Sequence, residues 1–353
     1  AARARGGRVV SDLRDRLAAL GLAEWPEPVE LSLAEVEAMC TTAAHEGLAA
    51  LLGAAREAGR VRMDEAAASV VSAAWAERMA WCVRLDGVLL DVVARLAGAG
   101  IDTRVLKGVA IATLDEPDPS WRSYGDIDIL VPDGHFLAAV DVLAAAGWHP
   151  AVPPVSRRWS AEYAKSITLV DGSGVQLDLH RLLAVGVLGE QAPMAELFAE
   201  GTPFTVGAVA LTGLAPVHRF LHACYHAALG GVAGTRHRRD VLLLAHSVAP
   251  AAVEARCTHG WSAAAVAHAL RWAGASGGLP PDWQQWLATR AIDPADRARL
   301  AASQGTFRAK AGARARNVGG PVARVRYLAA LVWPSRAHLV ARGRSRRQHL
   351  VRV

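Results

Sequence analysis

IDTRVLKGVAIATLDEPDPSWRSYGDIDILV, residues 101–131, is the stretch where the chain changes its period. Its last eight residues, Tyr124 to Val131, alternate like a strand. Asp126, Asp128 and Leu130 share one face, and Ile127, Ile129 and Val131 take the other. Two carboxylates side by side on a half-apolar strand repel each other and are poorly suited to a folded core. A divalent cation between them removes that conflict, so the motif points to Mg²⁺-dependent phosphoryl or nucleotidyl transfer. Just upstream, residues 103–106 read as a short strand, Lys107-Gly108 as a turn and residues 109–114 as a small helix. A loop with Pro117, Pro119, Trp121 and Arg122 leads into the acidic strand.

Working outward, residues 133–146 form an amphipathic helix closed by Gly147, and residues 166–170 alternate again. Asp171-Gly-Ser-Gly174 supplies hairpin turn chemistry, so residues 175–180 pair back. On that strand Gln176, Asp178 and His180 share a face, opposite Leu177 and Leu179. A third carboxylate thus arrives on a strand with apolar partners. Two Asp at i and i+2 plus a later Asp is the minimum for two-metal nucleotidyl transfer. The pair bridges metals that hold a triphosphate, while Asp178 lies by the attacking hydroxyl and takes its proton. A solvated sheet face with an incidental acid pair is the competing account.

The rest of the chain reads as helical. Residues 1–100 carry helical stripes, with Ser11 as a cap, a capping box at Ser32–Glu35 and a long helix over 64–96. They hold no evident chemistry. Helical period returns at 215–230, 235–249, 261–275, 282–290 and 293–304. These shifts divide the chain into a helical N-terminal region (1–100), an α/β core (101–212), a helical C-terminal domain (213–305) and a basic tail (306–353) with one helix near Tyr327–Trp333.

Composition narrows the class. The four cysteines, Cys40, Cys82, Cys224 and Cys257, form no CxxC pair, and no uncharged apolar run reaches about 18 residues. A reduced, cytoplasmic protein with no membrane partner is expected. Twelve of the 39 basic residues lie in 306–353, which has no acid, leaving 27 against 33 acids elsewhere. That tail, Arg308, Lys310, Arg314, Arg316, Arg324, Arg326, Arg336, Arg342, Arg344, Arg346, Arg347 and Arg352, either attracts nucleic acid or docks on the body through its one helix. Only three lysines occur, Lys107, Lys165 and Lys310, so a lysine inside the central motif suggests a point charge was wanted there.

Other residues carry two readings each. Lys107 holds a triphosphate or pairs with a buried acid, and Arg122 binds phosphate or makes a structural ion pair. His180 orients Asp178 or touches the acceptor, or sits as a structural residue in a supporting layer. His218, His222 and His226 run i, i+4, i+8 along one helix, where a zinc pair competes with cleft-lining or core roles. The cluster Arg236-His-Arg-Arg-Asp240 meets phosphate or forms a solvated helix start.

LKG at 106–108, Arg122, GDIDILV at 125–131, Gly147-Trp148 and LDLH at 177–180 resemble the uncharacterised nucleotidyltransferases of the DNA polymerase β-like superfamily. FLHACYHAA (220–228), RRDVLLLA (238–245) and RYLAALVWPS (326–335) are similar to that family's helical C-terminal part, so the resemblance spans about residues 80–345. It implies an α+β fold, with a mixed nucleotidyltransferase sheet flanked by helices. It also implies two Mg²⁺ ions, an NTP (ATP by default) and transfer of an NMP with release of pyrophosphate. Asp126, Asp128 and Asp178 would be the metal ligands and catalytic residues, with Lys107, Gly108, Arg122, Gly125 and His180 around the nucleotide. The acceptor would be a hydroxyl or amine on a small molecule, peptide or protein, as in specialised-metabolite or modified-peptide biosynthesis. A non-catalytic nucleotide- or nucleic-acid-binding protein on the same fold is the alternative. Two departures stand out: Lys107-Gly108 replaces the usual Gly-Ser phosphate turn, and Arg181 follows the His where an aromatic is common.

Overall fold

Alternation in 127–130 and 176–180 does form strands, because each apolar set finds a helix to bury against. The computed structural model describes residues 12–348 except 43–46, 191, 231–233, 258–259, 306–310, 313, 317, 344 and 346–347. The expected cap at Ser11 and the tail residues Arg308, Lys310, Arg344, Arg346, Arg347 and Arg352 lie outside the described residues.

A small parallel pair, β1 (Val29–Glu30) and β2 (Val61–Arg62), stands apart from the main sheet. The main sheet contains β3 (Arg104–Leu106), β4 (Ile127–Leu130), β5 (His149–Pro150), β6 (Ser166–Val170), β7 (Gln176–His180), β8 (Gly201–Val206) and β9 (Val209–Leu214). Their order is β5-β6-β7-β4-β3-β9-β8, with β4 parallel to β7, β3 parallel to β9 and the other neighbours antiparallel. The mixed sheet flanked by helices is the expected α+β architecture. The hairpin β8–β9 is an addition that the sequence did not suggest. Pro203 on β8 is tolerated because that strand lies at the edge of the sheet.

Around the sheet lie α1 (Leu33–Thr42), α2 (Leu48–Glu57), α3 (Glu65–Gly98), α4 (Gly108–Leu114) and α5 (Phe136–Ala145). Asp64 caps α3 by accepting from Ala67 N at 2.8 Å. Within the capping box, Glu35 Oε2 accepts from Ser32 N at 2.9 Å. On one face of the sheet Ile127, Ile129, Leu177 and Leu179 pack on Leu85, Leu89, Val92 and Leu96 of α3 and on Phe136 and Leu143 of α5. Each such buried side chain contributes roughly 1.5–3 kcal/mol relative to exposure. The acid-bearing face turns the other way.

The helices that follow include α6 (Pro216–Gly230), α7 (Thr235–Ser247), α8 (Gly260–Gly274), α9 (Pro281–Thr289) and α10 (Pro294–Gln304), built on their own core of Phe220, Val241, Leu244, Val266, Leu270 and Trp283. Buried guanidinium–carboxylate forks join α6 and α7 to the sheet region. Arg219 holds Asp115 at 2.9 and 2.8 Å, and Arg239 holds Glu116 at 2.8 and 2.6 Å. Arg122 holds Asp240 at 2.8 and 2.9 Å. Arg239 and Asp240 are buried, which replaces the solvated helix start read for 236–240. Apolar 3.6-residue periodicity cannot reveal a charge that finds its partner more than a hundred residues away.

The tail helix α11 (Pro321–Val332) docks on the body. Tyr327 stacks on Trp159 and meets Tyr163 edge-on, both at 5.2 Å between ring centroids. Ser335 N and Oγ reach Val155 O and Pro154 O, each at 2.9 Å, and His338 Nδ1 reaches Pro153 O at 2.8 Å.

Candidate active site

Strand register brings the acids together. β4 and β7 run parallel with Asp128 opposite Asp178 and Leu130 opposite His180. Thr168 on β6 lies opposite Asp178, and its hydroxyl donates to Asp178 Oδ1 at 2.5 Å. Ligand atoms of Asp128, Asp178 and His180 all come within 4.8 Å of one another. Asp126, just before β4, lies outside that tight group but within the electrostatic reach of both other carboxylates.

Asp128 is the most constrained member. It is buried, and its Oδ1 takes Lys107 Nζ and His180 Nε2, both at 2.8 Å. Burial alone would push its pKa up. Lys107 and His180 outweigh that and hold the carboxyl well below the usual carboxylate range. Burial lowers the pKa of His180, so the neutral ring donates from Nε2, which fixes the orientation of Asp128 rather than that of Asp178. Asp126 behaves oppositely: burial, then the charge of Asp128, push its carboxyl up. One acid is thus ionised by its neighbours, while the other retains a strong demand for a cation.

The turn beside them is unusual. Lys107 has φ 40°, the only non-glycine positive φ among the described residues, and Gly108 follows at φ 28°. A lysine held there keeps its ammonium on Asp128. Arg122 stabilises the same turn, donating from Nη1 to Gly108 O at 2.8 Å while its other nitrogens hold Asp240. Both residues therefore take the ion-pair member of their two sequence readings in this structure. Helix α3 fastens the loop that leads to Asp126. Arg78 Nη2 donates to Tyr124 O at 3.2 Å, and Trp81 Nε1 to Gly125 O at 3.4 Å. The N-terminal helices, which showed no chemistry in sequence, set where the acid motif begins. Gly125 is exposed beside Asp126.

The donor set suits a hard cation. Among the described residues no hydrogen bond falls on Asp128 Oδ2, Asp178 Oδ2 or either oxygen of Asp126. Carboxylate oxygens without sulfur match Mg²⁺ better than zinc, and the one imidazole of the cluster, His180, has its Nε2 on Asp128. The histidines on α6 do not gather as zinc ligands with one another. His222 is buried at 6.2 Å (ring centroids) from His180, His226 stacks on His237 at 4.7 Å, and His218 sits 3.3 Å from Glu196. His218 does share a 4.8 Å cluster with Glu196 and Glu200, but Arg256 already bridges both carboxylates at 2.6 and 2.9 Å.

Two site residues escaped the sequence reading. Lys165 is half-buried and makes no ion pair among the described residues, although it lies in the field of Asp128, Asp178 and Asp126. Its backbone is pinned: its carbonyl accepts from Arg181 N at 2.8 Å and Leu182 N at 3.1 Å, while Arg181 Nε holds Ala164 O at 3.0 Å. Arg181, the local departure from the expected aromatic, therefore presents this lysine. The scarcity of lysine was the available signal. Thr168 was accessible from hairpin register alone, since a turn at 171–174 sets it opposite Asp178.

The family described as uncharacterised nucleotidyltransferase matches residues 32–275, and the chain belongs to it. Among solved structures it is similar to an antigenic nucleotidyltransferase-like protein from Paracoccidioides brasiliensis, at 14% identity over 60% of this chain and 95% of that one, with a TM-score of 0.35. So low a TM-score adds nothing to the architecture above. No curated protein matches the chain. Among the described residues no helix is long and apolar enough to cross a membrane.

Proposed function

We propose that the protein is a Mg²⁺-dependent nucleotidyltransferase that moves an NMP from an NTP, ATP by default, to an acceptor hydroxyl or amine. The observation that carries this reading is Asp128 opposite Asp178 on adjacent parallel strands, with Asp126 beside them and oxygens left unbonded on each. Asp126, Asp128 Oδ2 and Asp178 Oδ2 would hold the cation, which when bound neutralises charge on the entering and leaving oxygens. His180 and Lys107 keep Asp128 ionised and oriented. Asp178, turned by Thr168, takes the acceptor proton as the acceptor oxygen bonds to the α-phosphorus and pyrophosphate leaves.

Room for an acceptor lies next to that carboxylate. A cavity of about 380 Å³ is lined by Thr168, Ser166, Trp159, Pro153, Val155 and Arg342, and Thr168 belongs both to this cavity and to the acid cluster. Its largely apolar wall with a cation at the rim suits an acceptor with an apolar body and an acidic end.

Calorimetry of ATP binding with and without Mg²⁺ tests the reading. Asp126→Asn and Asp128→Asn should each weaken the metal-dependent binding by about 10–100-fold. Tight ATP binding that needs no metal and ignores both substitutions refutes it. A mass gain of one NMP on a supplied acceptor identifies the reaction.

A further inference from the structure

Around the acid cluster most arginines are already matched to a carboxylate. Arg122 is closed on Asp240, Arg219 on Asp115 and Arg239 on Glu116, each through two nitrogens. Two guanidiniums break that rule. Arg78 on α3 and Arg236 in the first turn of α7 have no carboxylate partner among the described residues. They come from two different helices onto consecutive carbonyls of one loop, Arg236 Nη1 on Ser123 O at 3.4 Å and Arg78 Nη2 on Tyr124 O at 3.2 Å. Arg78 Nε is shielded from solvent and has no hydrogen-bond partner among the described residues. Asp126 follows two residues after Tyr124, and Gly125 between them leaves the approach open. The contacts to neutral carbonyls are long, and Arg236 lies in the fields of Arg122 and Arg78 as well as those of Asp240 and Asp126.

We propose that Arg78 and Arg236 form the clamp for the polyphosphate tail of the nucleotide, two planar forks brought together at the Ser123–Asp126 loop. The inference rests on the nucleotidyltransferase reading and supplies what that reading lacks. In this chain the lysine of the phosphate turn is held by Asp128 and Arg122 by Asp240, so neither is free to receive a phosphate. Arg78 and Arg236 have nitrogens to offer, and guanidinium forks match phosphate oxygens in pairs. The charges of Arg122 and Arg78 act against that of Arg236 and those of Asp240 and Asp126 act for it, so an anion between the two forks would add to the favourable side. With its phosphates held there, the nucleotide would lie beside Asp126, whose two carboxylate oxygens take no hydrogen bond among the described residues.

Mg²⁺ with inorganic tripolyphosphate, titrated calorimetrically into the full chain, is the direct probe. Arg78→Met and Arg236→Met should each weaken its binding by about 10–100-fold. Arg236→Lys, which keeps the charge and loses the fork, should fall between Met and wild type. AMP, which lacks the β- and γ-phosphates, should bind each variant within about threefold of wild type. Melting curves matching wild type for the Lys variant exclude a folding cause. If Asp126→Asn abolishes tripolyphosphate binding while both Met variants keep it within about threefold, the clamp is wrong and the metal site stands. If the wild-type chain shows no Mg²⁺-dependent binding of tripolyphosphate or ATP, the nucleotidyltransferase reading falls and the clamp falls with it.

Discussion

Replacing Asp240 by Asn should cost more stability than any surface substitution in this chain, and the structure gives the size. Arg122 and Asp240 side chains are 5% and 7% exposed and meet through two hydrogen bonds of 2.8 and 2.9 Å. Burial alone would raise the pKa of Asp240, but Arg122 outweighs it and holds the carboxyl below its ordinary value. Asn at this position keeps the shape and leaves a guanidinium buried without its counter-charge, which costs about 3–5 kcal/mol. Replacing both partners by apolar residues, Arg122→Met with Asp240→Leu, removes the stranded charge. The double variant should recover most of the loss despite having neither ionic group. Urea unfolding of wild type, both singles and the double, compared at a common slope, reads out the cycle. A single-variant cost below about 1 kcal/mol, or a double variant as unstable as the sum of the singles, would refute the assignment. The functional corollary follows from Arg122 Nη1 on Gly108 O: variants that lose Arg122 should loosen the Lys107-Gly108 turn and weaken nucleotide binding even where they fold.

Thr168→Val should slow transfer by roughly tenfold while changing stability by less than about 1 kcal/mol, because it removes only the hydroxyl that orients Asp178; an unchanged single-turnover rate would show that Asp178 needs no such guide. Lys107→Gly and Lys107→Met both remove the ammonium from Asp128, but glycine accepts φ 40° and methionine does not, so the Gly variant should be more stable by about 1 kcal/mol in parallel urea titrations. Acid should destabilise the protein below the ordinary histidine range. Burial holds His237 at about 4 and His226 at about 2 in the folded chain, whereas an unfolded histidine titrates near ~6.5. The unfolded state therefore binds protons first as the pH falls. The stability that these neutral rings contribute is fully present above pH ~6.5 and declines toward pH ~4 for His237, and further for His226, by at most about 1.4 kcal/mol per pH unit for each ring. Melting temperatures measured between those limits should fall less steeply for His237→Asn than for wild type.

The acidic half of the site was readable because its logic is local. Period-2 alternation places Asp126, Asp128 and Asp178 on their faces, and a hairpin turn at 171–174 fixes the partner of Asp178; nothing remote is needed. The cationic half was not readable for the opposite reason. Arg122 in its loop and Arg236 in its basic run carry no periodicity that says which of them finds a carboxylate. What separates them is that Asp240, 118 residues from Arg122, reaches one and leaves the other. Ion pairing across such separations follows from how α6 and α7 are set against the sheet region, and no periodicity encodes that placement. The same holds for Lys107. Its charge was legible, but its partner depends on β3 lying antiparallel to β4 with Leu106 opposite Asp128, which carries the ammonium back over the acid. Burial then sorts the cations of this fold into two kinds. Arg122, Arg219 and Arg239, each matched to a carboxylate, hold the C-terminal helices against the sheet region, and removing one partner should cost stability first. Lys165, Arg78 and Arg236, which lie near the acids without a carboxylate of their own, should show the reverse: substitutions there should cost ligand binding first and stability little. Measuring both quantities on one panel of arginine and lysine variants would reveal whether the two kinds separate as the geometry requires.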